Sequence, residues 1–555
     1  MVSLNLTYPG VQQGQRLLVE TQPGALQSWS DNLPFGQMDK ALSAFLEKVQ
    51  RLNRTELSWR ERAPLMEVLN PPYRMIQSYY FDVYLLESQS GSNTQSLPLS
   101  LKTLTKEMAF GYKKLCAESI QKNVILRLSY KRLQAQQFNW AIHYLGLTLL
   151  NHYVTYEQVP NAIWRELYQI YYYAHVKSFD DLDIPLNNGE ALLSNIELSF
   201  KRILLIAVTS PYHFEPGDLW DVYHYLKHYT FLSALAFDQK PVQDKQHFCA
   251  DLNSDKPPTY VSREYVFENT QKMVTLQTTD LLVKLQMHLQ TLEQHQQLPQ
   301  PGFRDTITVK RAKRLLTELS KRWDKHIVRQ YQRQPSQKLI ELVWGLENIY
   351  HLFMQYDTLS QTDSIEQLPS IGETPQNEEK TVQENADISR WETINASAKG
   401  LCVHRFKPET QGLEVGQLVT FRPVKHESNT MLWTMCIVRW LKQVPGQGTT
   451  LGLEILPGRP QPVTVTPFFK HAKAQNSHRA LLISGEKIQG KYTPTLISST
   501  KLHYKGRQIT IEVGSESFQI IAQKKATETS HFTRFFYKTV DETIHNPNEI
   551  EDNSF

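Results

Sequence analysis

The sequence predicts a multidomain α+β protein. An all-α helical region spans residues 1–325, a small β-barrel follows over 326–460, and a β-rich extension fills 461–540 before a disordered tail at 541–555. Three observations carry this. A chain of 555 residues is longer than one hydrophobic core organises, so two to four domains are expected. Apolar residues recur at helical spacing through the first 325 positions. Beyond them the pattern changes to short apolar runs separated by turn residues.

The helical elements read in order. Ala41, Leu42, Phe45, Leu46, Val49 and Leu52 form one stripe over 39–53, and Pro71-Pro72 is expected to end the next helix. Residues 161–175 carry Ile163, Trp164, Leu167, Tyr168, Ile170 and Tyr171, with Pro160 and Asn161 at the start. The run Tyr171-Tyr172-Tyr173 is expected to be core and its rim. Further helices are expected over 190–208, 275–292 and 309–323, with Pro, Gly and Asn clusters between them. No fixed repeat period emerges. His224 and His228 lie four apart, on one helical face, but lack a third ligand at metal-site spacing, so hydrogen-bonded or exposed histidines are expected. No phosphate loop, nucleophile elbow or kinase-type motif occurs, and nothing in this region supports catalysis.

The character changes near residue 325. Residues 325–337 are basic and lack an apolar stripe, and Pro335 disfavours a helix through Arg333, so this segment is expected to be extended or loop-like. Residues 338–344 are apolar on both faces and read as a buried strand, although periodicity alone also allows a helix. A short helix over 345–354 follows. Residues 357–387 carry eight carboxylates against one lysine and read as a disordered insertion, which loop-closure entropy tolerates at small cost. Strands are expected at 388–394, 400–406, 415–421, 432–441 and 451–456, then at 480–484, 495–502, 507–513, 517–522 and 532–539, with 457–462 as a break.

Composition bounds the function. Hydrophobic content of 40% and charged content of 21% fit a globular chain, and 60 basic against 56 acidic residues, net +4, argue against a polybasic binder of nucleic-acid polymers. Four scattered cysteines without a C-x-x-C fit a reducing compartment. No run of about 18 apolar residues suits a membrane span, and a cytoplasmic location is expected.

Two motifs stand at the centre of the β-rich half. Arg329-Gln330-Tyr331-Gln332-Arg333 reads R-x-x-x-R, and Asn395-Ala396-Ser397-Ala398-Lys399-Gly400 reads N-x-S-x-x-G. Val-Gly-Gln-Leu-Val at 415–419, Ile-Val-Arg-Trp-Leu at 437–441 and Leu-Gly-Leu-Glu-Ile-Leu at 451–456 follow in the same order. This arrangement resembles the PilZ domain, the family of bacterial receptors for cyclic di-GMP. The helical half is similar to that of larger gammaproteobacterial PilZ-containing proteins. The separation of the two motifs is wider than is usual in the family, and the acidic insertion accounts for it.

The resemblance implies a non-enzymatic receptor with cyclic di-GMP as its ligand, no cofactor and no metal, coupled to an unidentified protein partner. It implies ligand binding by Arg329 and Arg333 from a wrapping segment, and by Asn395, Ser397 and Gly400 from the barrel. The chemistry suits these residues. Guanine presents O6 and N7 along one edge, which an arginine fork matches bidentately, and a guanidinium stacks on a purine face. Asn, Ser and Gly together suit a turn where backbone N–H groups approach a ligand closely. The alternative is a barrel that has lost nucleotide binding and serves as an interaction scaffold.

Overall fold

A computed structural model describes residues 4–12, 20–90, 97–121, 128–184, 193–237, 247–261, 272–324, 331–362, 388–406, 412–424, 433–468, 476–488 and 491–540. The chain forms two compact units, 1–329 and 330–555.

The first unit is built on α1 (Pro23–Asp31), α2 (Met38–Arg54), α3 (Trp59–Ser90), α4 (Leu99–Gln121), α5 (Leu128–Val154), α6 (Ile163–Val176), α7 (Ile196–Val208) and α8 (Asp218–Tyr229). The expected stripe on α2 is buried at Ala41, Leu42, Phe45, Val49 and Leu52. Helix α7 starts at an Asn195 cap, whose side chain accepts from the Leu198 N–H at 2.9 Å. Tyr171 lies in the core, with Tyr172 and Tyr173 packed at its rim.

Three features differ from the sequence expectation. Helix α3 runs through Pro71 and Pro72 instead of ending there. Burial of Leu65, Met66, Leu69, Tyr73 and Ile76 on both sides of the prolines outweighs the lost backbone hydrogen bonds. A four-stranded antiparallel sheet also follows α8, made of β1 (Ala234–Phe237), β2 (His247–Asp251), β3 (Thr259–Val261) and β4 (Met273–Gln277) in the order β1-β4-β2-β3. The region expected to be all-α is therefore helical with a sheet inserted, and the helix expected from 275 starts after that sheet, as α9 (Thr279–His295), followed by α10 (Val309–Asp324).

The second unit contains β5 (Gln334–Pro335), β6 (Leu339–Trp344), α11 (Leu346–Thr362), β7 (Ser389–Ser397), β8 (Gly400–Arg405), β9 (Leu418–Pro423), β10 (Thr434–Val444) and β11 (Gly448–Ile455). These strands pair in the order β5-β7-β6-β9-β10-β11-β8, and β7 also pairs with β8, so six strands close on themselves. Residues 338–344 are thus a strand. The helix after them extends past 354 to Thr362, and 363–387 of the expected insertion lie outside the described residues.

A second closed barrel follows, in the order β12-β13-β14-β17-β16-β15. Its strands are β12 (Pro460–Pro467), β13 (His478–Ile488), β14 (Lys491–Ser498), β15 (Gln508–Val513), β16 (Glu516–Glu528) and β17 (Thr533–Thr539). Strand β12 occupies part of the expected break. One apolar cluster is shared by the two barrels through α11: Ile349, Tyr350, Leu352 and Phe353 pack with Val343, Leu418 and Ile437 of the first and with Leu481, Ile483 and Ile497 of the second. The expected tail at 541–555 lies outside the described residues.

Candidate functional site

The segment that follows Arg333 meets the second motif on β7. Strand β5 pairs antiparallel with its end, Gln334 opposite Ala396 and Pro335 opposite Asn395. Arg333 therefore stands one residue further along, at the level of Ser397. The segment holding Arg333 is extended, as Pro335 implies. Arg329 lies outside the described residues.

The same edge of β7 then takes β6, with Leu339 opposite Glu392. Three residues, 336–338, face two on β7 between these pairings, so the arginine segment enters the barrel through a bulge. Thr393 clamps it. The Ser336 N–H donates to the Ile394 carbonyl at 3.0 Å, and the Thr393 N–H donates to the Lys338 carbonyl at 2.9 Å. The Lys338 N–H donates to Thr393 Oγ1 at 2.8 Å, and the hydroxyls of Ser336 and Thr393 lie 2.9 Å apart. Sequence reasoning missed Thr393, because a buried threonine in a strand carries no motif signal.

On its other edge β7 pairs with β8, and the register shifts between Thr393 and Asn395. Ile394 is the extra residue and points to solvent, 44% exposed. The shift re-aims Asn395, which pairs with Cys402. Asn395 Oδ1 is buried and has no hydrogen-bond partner among the described residues. A buried unpaired carbonyl oxygen costs about 1–3 kcal/mol, so this atom is a ready acceptor. Burial raises the Cys402 thiol pKa, and the Arg333 charge opposes that rise.

The N-x-S-x-x-G motif forms a hairpin. Asn395, Ala396 and Ser397 belong to β7 itself, and the turn is confined to Ala398 and Lys399. Ser397 pairs with Gly400, and its hydroxyl donates to the Gly400 carbonyl at 3.2 Å. Gly400 also pairs with Glu454 of β11, and a Cβ there would sit 2.4 Å from the Leu453 carbonyl oxygen. Close strand approach, not a left-handed turn, demands glycine at this position. Lys399 carries a contact that motif reading passed over: its Nζ lies 5.4 Å from the Tyr331 ring centroid. Tyr331 is the central residue of R-x-x-x-R, so this cation–π contact joins the two motifs.

The histidine pair is not a metal centre among the described residues, where no group of three or more His, Cys, Asp or Glu is placed to hold an ion. His224 packs edge-on against Trp220, 5.0 Å between centroids, and burial lowers its pKa to about 3. No described helix is long and apolar enough to cross a membrane.

The family model for the N-terminal domain of the cyclic-di-GMP receptor FimW matches residues 24–239. The model for the middle PilZ domain of that receptor matches 247–368 and 354–462, two pieces that meet at the acidic segment. The cyclic-di-GMP receptor FimW of Pseudomonas aeruginosa is 20% identical over 98% of this chain and 95% of its own length. No solved structure matches. Strands β13 to β17 lie beyond the residues that either family model matches. With both family models aligned in order over most of the chain and a closed barrel where the PilZ model matches, the chain belongs to the PilZ-containing proteins.

Proposed function

We propose that this chain is a cytoplasmic receptor for cyclic di-GMP, which couples nucleotide binding at the first barrel to a protein partner. Arg333, with Arg329, takes guanine edges or phosphates, and Asn395, Ser397 and Gly400 hold the ligand from the β7–β8 hairpin. The observation that carries this reading is the β5–β7 pairing, which brings the backbone of Arg333 to the level of Ser397, two residues from a buried Asn395 oxygen that has no donor among the described residues. Guanine offers N–H donors for that oxygen and an O6/N7 edge for the arginine. The relative's description as a cyclic-di-GMP receptor supports the ligand assignment. The division of the chain into its two compact units falls in sequence between Arg329 and Gln330, inside the arginine motif, and coupling to a partner is assigned to that segment.

The test is isothermal titration of cyclic di-GMP into the full chain and into Arg333→Ala. Removal of a charge-assisted bond to the ligand costs about 1.5–3 kcal/mol, so affinity should fall about 10- to 100-fold with an unchanged thermal midpoint. Equal affinity in both proteins, or no binding to the folded wild type, overturns the reading and favours a nucleotide-free scaffold.

A further inference from the structure

The near-balanced charge of the whole chain hides a strongly basic second barrel. Residues 458–540 contain 13 Lys and Arg against 4 Asp and Glu, whereas 541–555 contain five acids and no Lys or Arg. The basic side chains of interest collect at one end. In the barrel order β14 and β15 are not neighbours, so the loop 499–507 that joins them crosses an end of the barrel, with Leu502 buried beneath it. Strand β12 finishes at the same end, since Pro467 pairs with Ile509 and the Phe468 N–H donates to the Gln508 carbonyl at 3.0 Å.

This end is held firmly. His503 Nε2 donates to the Gln523 carbonyl at 2.8 Å, the Arg507 Nη1 donates to the Leu502 carbonyl at 2.8 Å, and the Gly506 N–H donates to the Ala522 carbonyl at 2.8 Å. The loop is thereby pinned onto β16 beside Lys524. Lys501, Lys505 and Lys524 are exposed and make no salt bridge to a described residue. On the same loop and at the end of β12 stand two aromatic rings that the fold leaves in solvent, Tyr504 at 69% and Phe468 at 52% exposure. The one described carboxylate close in sequence to Lys524, Glu528, is engaged by Lys525 at 2.9 Å.

We propose that this end of the second barrel is a peripheral docking surface for an anionic lipid membrane. Exposed aromatic rings among lysines match the requirements of the lipid interface, where rings settle at headgroup depth and each cation near the surface gains from anionic headgroups. Single-stranded nucleic acid also takes aromatics with cations, but it is held along a groove that tracks its backbone. Here the groups sit on a loop and a strand end at the tip of a closed barrel, which suits a flat surface. A peripheral site also places at a membrane a chain whose described helices do not cross one.

The experiment is co-sedimentation of the full chain with vesicles of phosphatidylcholine carrying about one third phosphatidylglycerol, beside vesicles of phosphatidylcholine alone. Wild type should pellet with the anionic vesicles and not with the neutral ones, and raising salt to about 0.5 M should release it. The triple variant Lys501→Glu/Lys505→Glu/Lys524→Glu should weaken the association about 100-fold or more, and Tyr504→Ser should weaken it several-fold at unchanged charge. Both alter exposed side chains, so cyclic di-GMP titration and the thermal midpoint should stay at wild-type values and report a folded chain. Failure of wild type to pellet, or equal pelleting of the triple variant, overturns the proposal. Fluorescence anisotropy with a labelled single-stranded oligonucleotide completes the test: tight binding of the oligonucleotide without vesicle binding assigns the same end to nucleic acid instead.

Discussion

The helical region and the β unit bury charge very differently. Among the described residues eleven Asp, Glu, Lys and Arg side chains are buried in the first, and two, Glu414 and Arg534, in the second. In the helical region these groups wire distant segments together. Asp218 at the start of α8 receives Arg314 at 2.7 Å and Arg311 at 3.1 Å, and Asp221 one turn later receives Arg304 at 2.9 Å and Arg311 at 3.0 Å. Three arginines from α10 and the turn before it thus clamp onto one helix start, where the macrodipole also favours carboxylates. Lys113 of α4 and Glu166 of α6 form a second buried pair at 2.7 Å, and Glu166 Oε1 also accepts from the N-terminal Thr7 N–H at 2.6 Å. The β unit is specified instead by backbone ladders and by the apolar cluster around α11. Helices bury one stripe and can rotate or slide, so polar partners fix their register; closed barrels fix register by pairing every strand.

The sharpest way to break this contrast is to remove one member of the clamp. Asp218→Ala removes the acceptor that Arg311 and Arg314 share and leaves them Asp221 at 3.0 Å and Glu215 at 3.2 Å, so the loss of charge-assisted bonds should cost about 1.5–3 kcal/mol. Chemical denaturation followed at 222 nm should show the helical transition shift by that amount. A shift below about 1 kcal/mol would mean that the helices hold their register by apolar packing alone.

Acid probes the same contrast without mutation. Burial, followed by the charges of Arg202, Arg74 and Lys227, lowers the His143 pKa to about 3, and His224 is lowered to about 3 in the same way. Each folded-state value lies below the unfolded one, so the unfolded chain takes up the proton first. Stability from the neutral rings is complete above about pH 6.5 and declines as pH falls towards 3. Between pH 7.5 and 5 the loss should be on the order of 2 kcal/mol for each histidine. The burial-raised pKa of Asp221 works in the opposite direction, but near its own lower range. Denaturation midpoints of the helical signal at the two pH values check this, and pH-independent midpoints would show that both rings titrate in the folded chain as they do in the unfolded one.

The same difference explains what was legible in the sequence. The N-x-S-x-x-G hairpin and the extended course of the chain at Arg333 were readable because both follow from local patterns, and the pairing of 334–335 with β7 then brings them together whatever length of chain intervenes. The helical stripe of α2 was readable because burial follows spacing. The arginine clamp was not, since Asp218 and Arg314 are 96 residues apart and neither belongs to a motif. Strands β1 to β4 were missed because each is five residues or fewer, too short for alternation to declare itself. The start of β12 fell within the break expected over 457–462, a stretch that holds Pro457, Pro460 and Pro462. Proline is excluded from a ladder only where its nitrogen must donate. Strand β15 pairs with β12 from Thr464 onward, so Pro460 and Pro462 occupy a stretch paired with β13 alone, where one edge is free. The basic end of the second barrel escaped notice because the charge count was taken over the whole chain, where acidic segments cancel it.

The smallest expected effect lies at the site itself and sharpens the comparison from the β side. Tyr331 and Lys399 are both exposed, and an exposed cation–π contact is worth about 0.5–1 kcal/mol. It does little for the barrel, whose strands are already closed, but it ties the central residue of the arginine segment to the β7–β8 turn. Its energy should therefore surface in ligand affinity more than in folding. A double-mutant cycle with Tyr331→Ser and Lys399→Ser, read by cyclic di-GMP titration, should give a coupling of about 0.5 kcal/mol while thermal midpoints stay within experimental scatter. Additive effects on affinity would separate the two side chains and leave the bulge clamped by Thr393 as the element that holds the arginine segment in place.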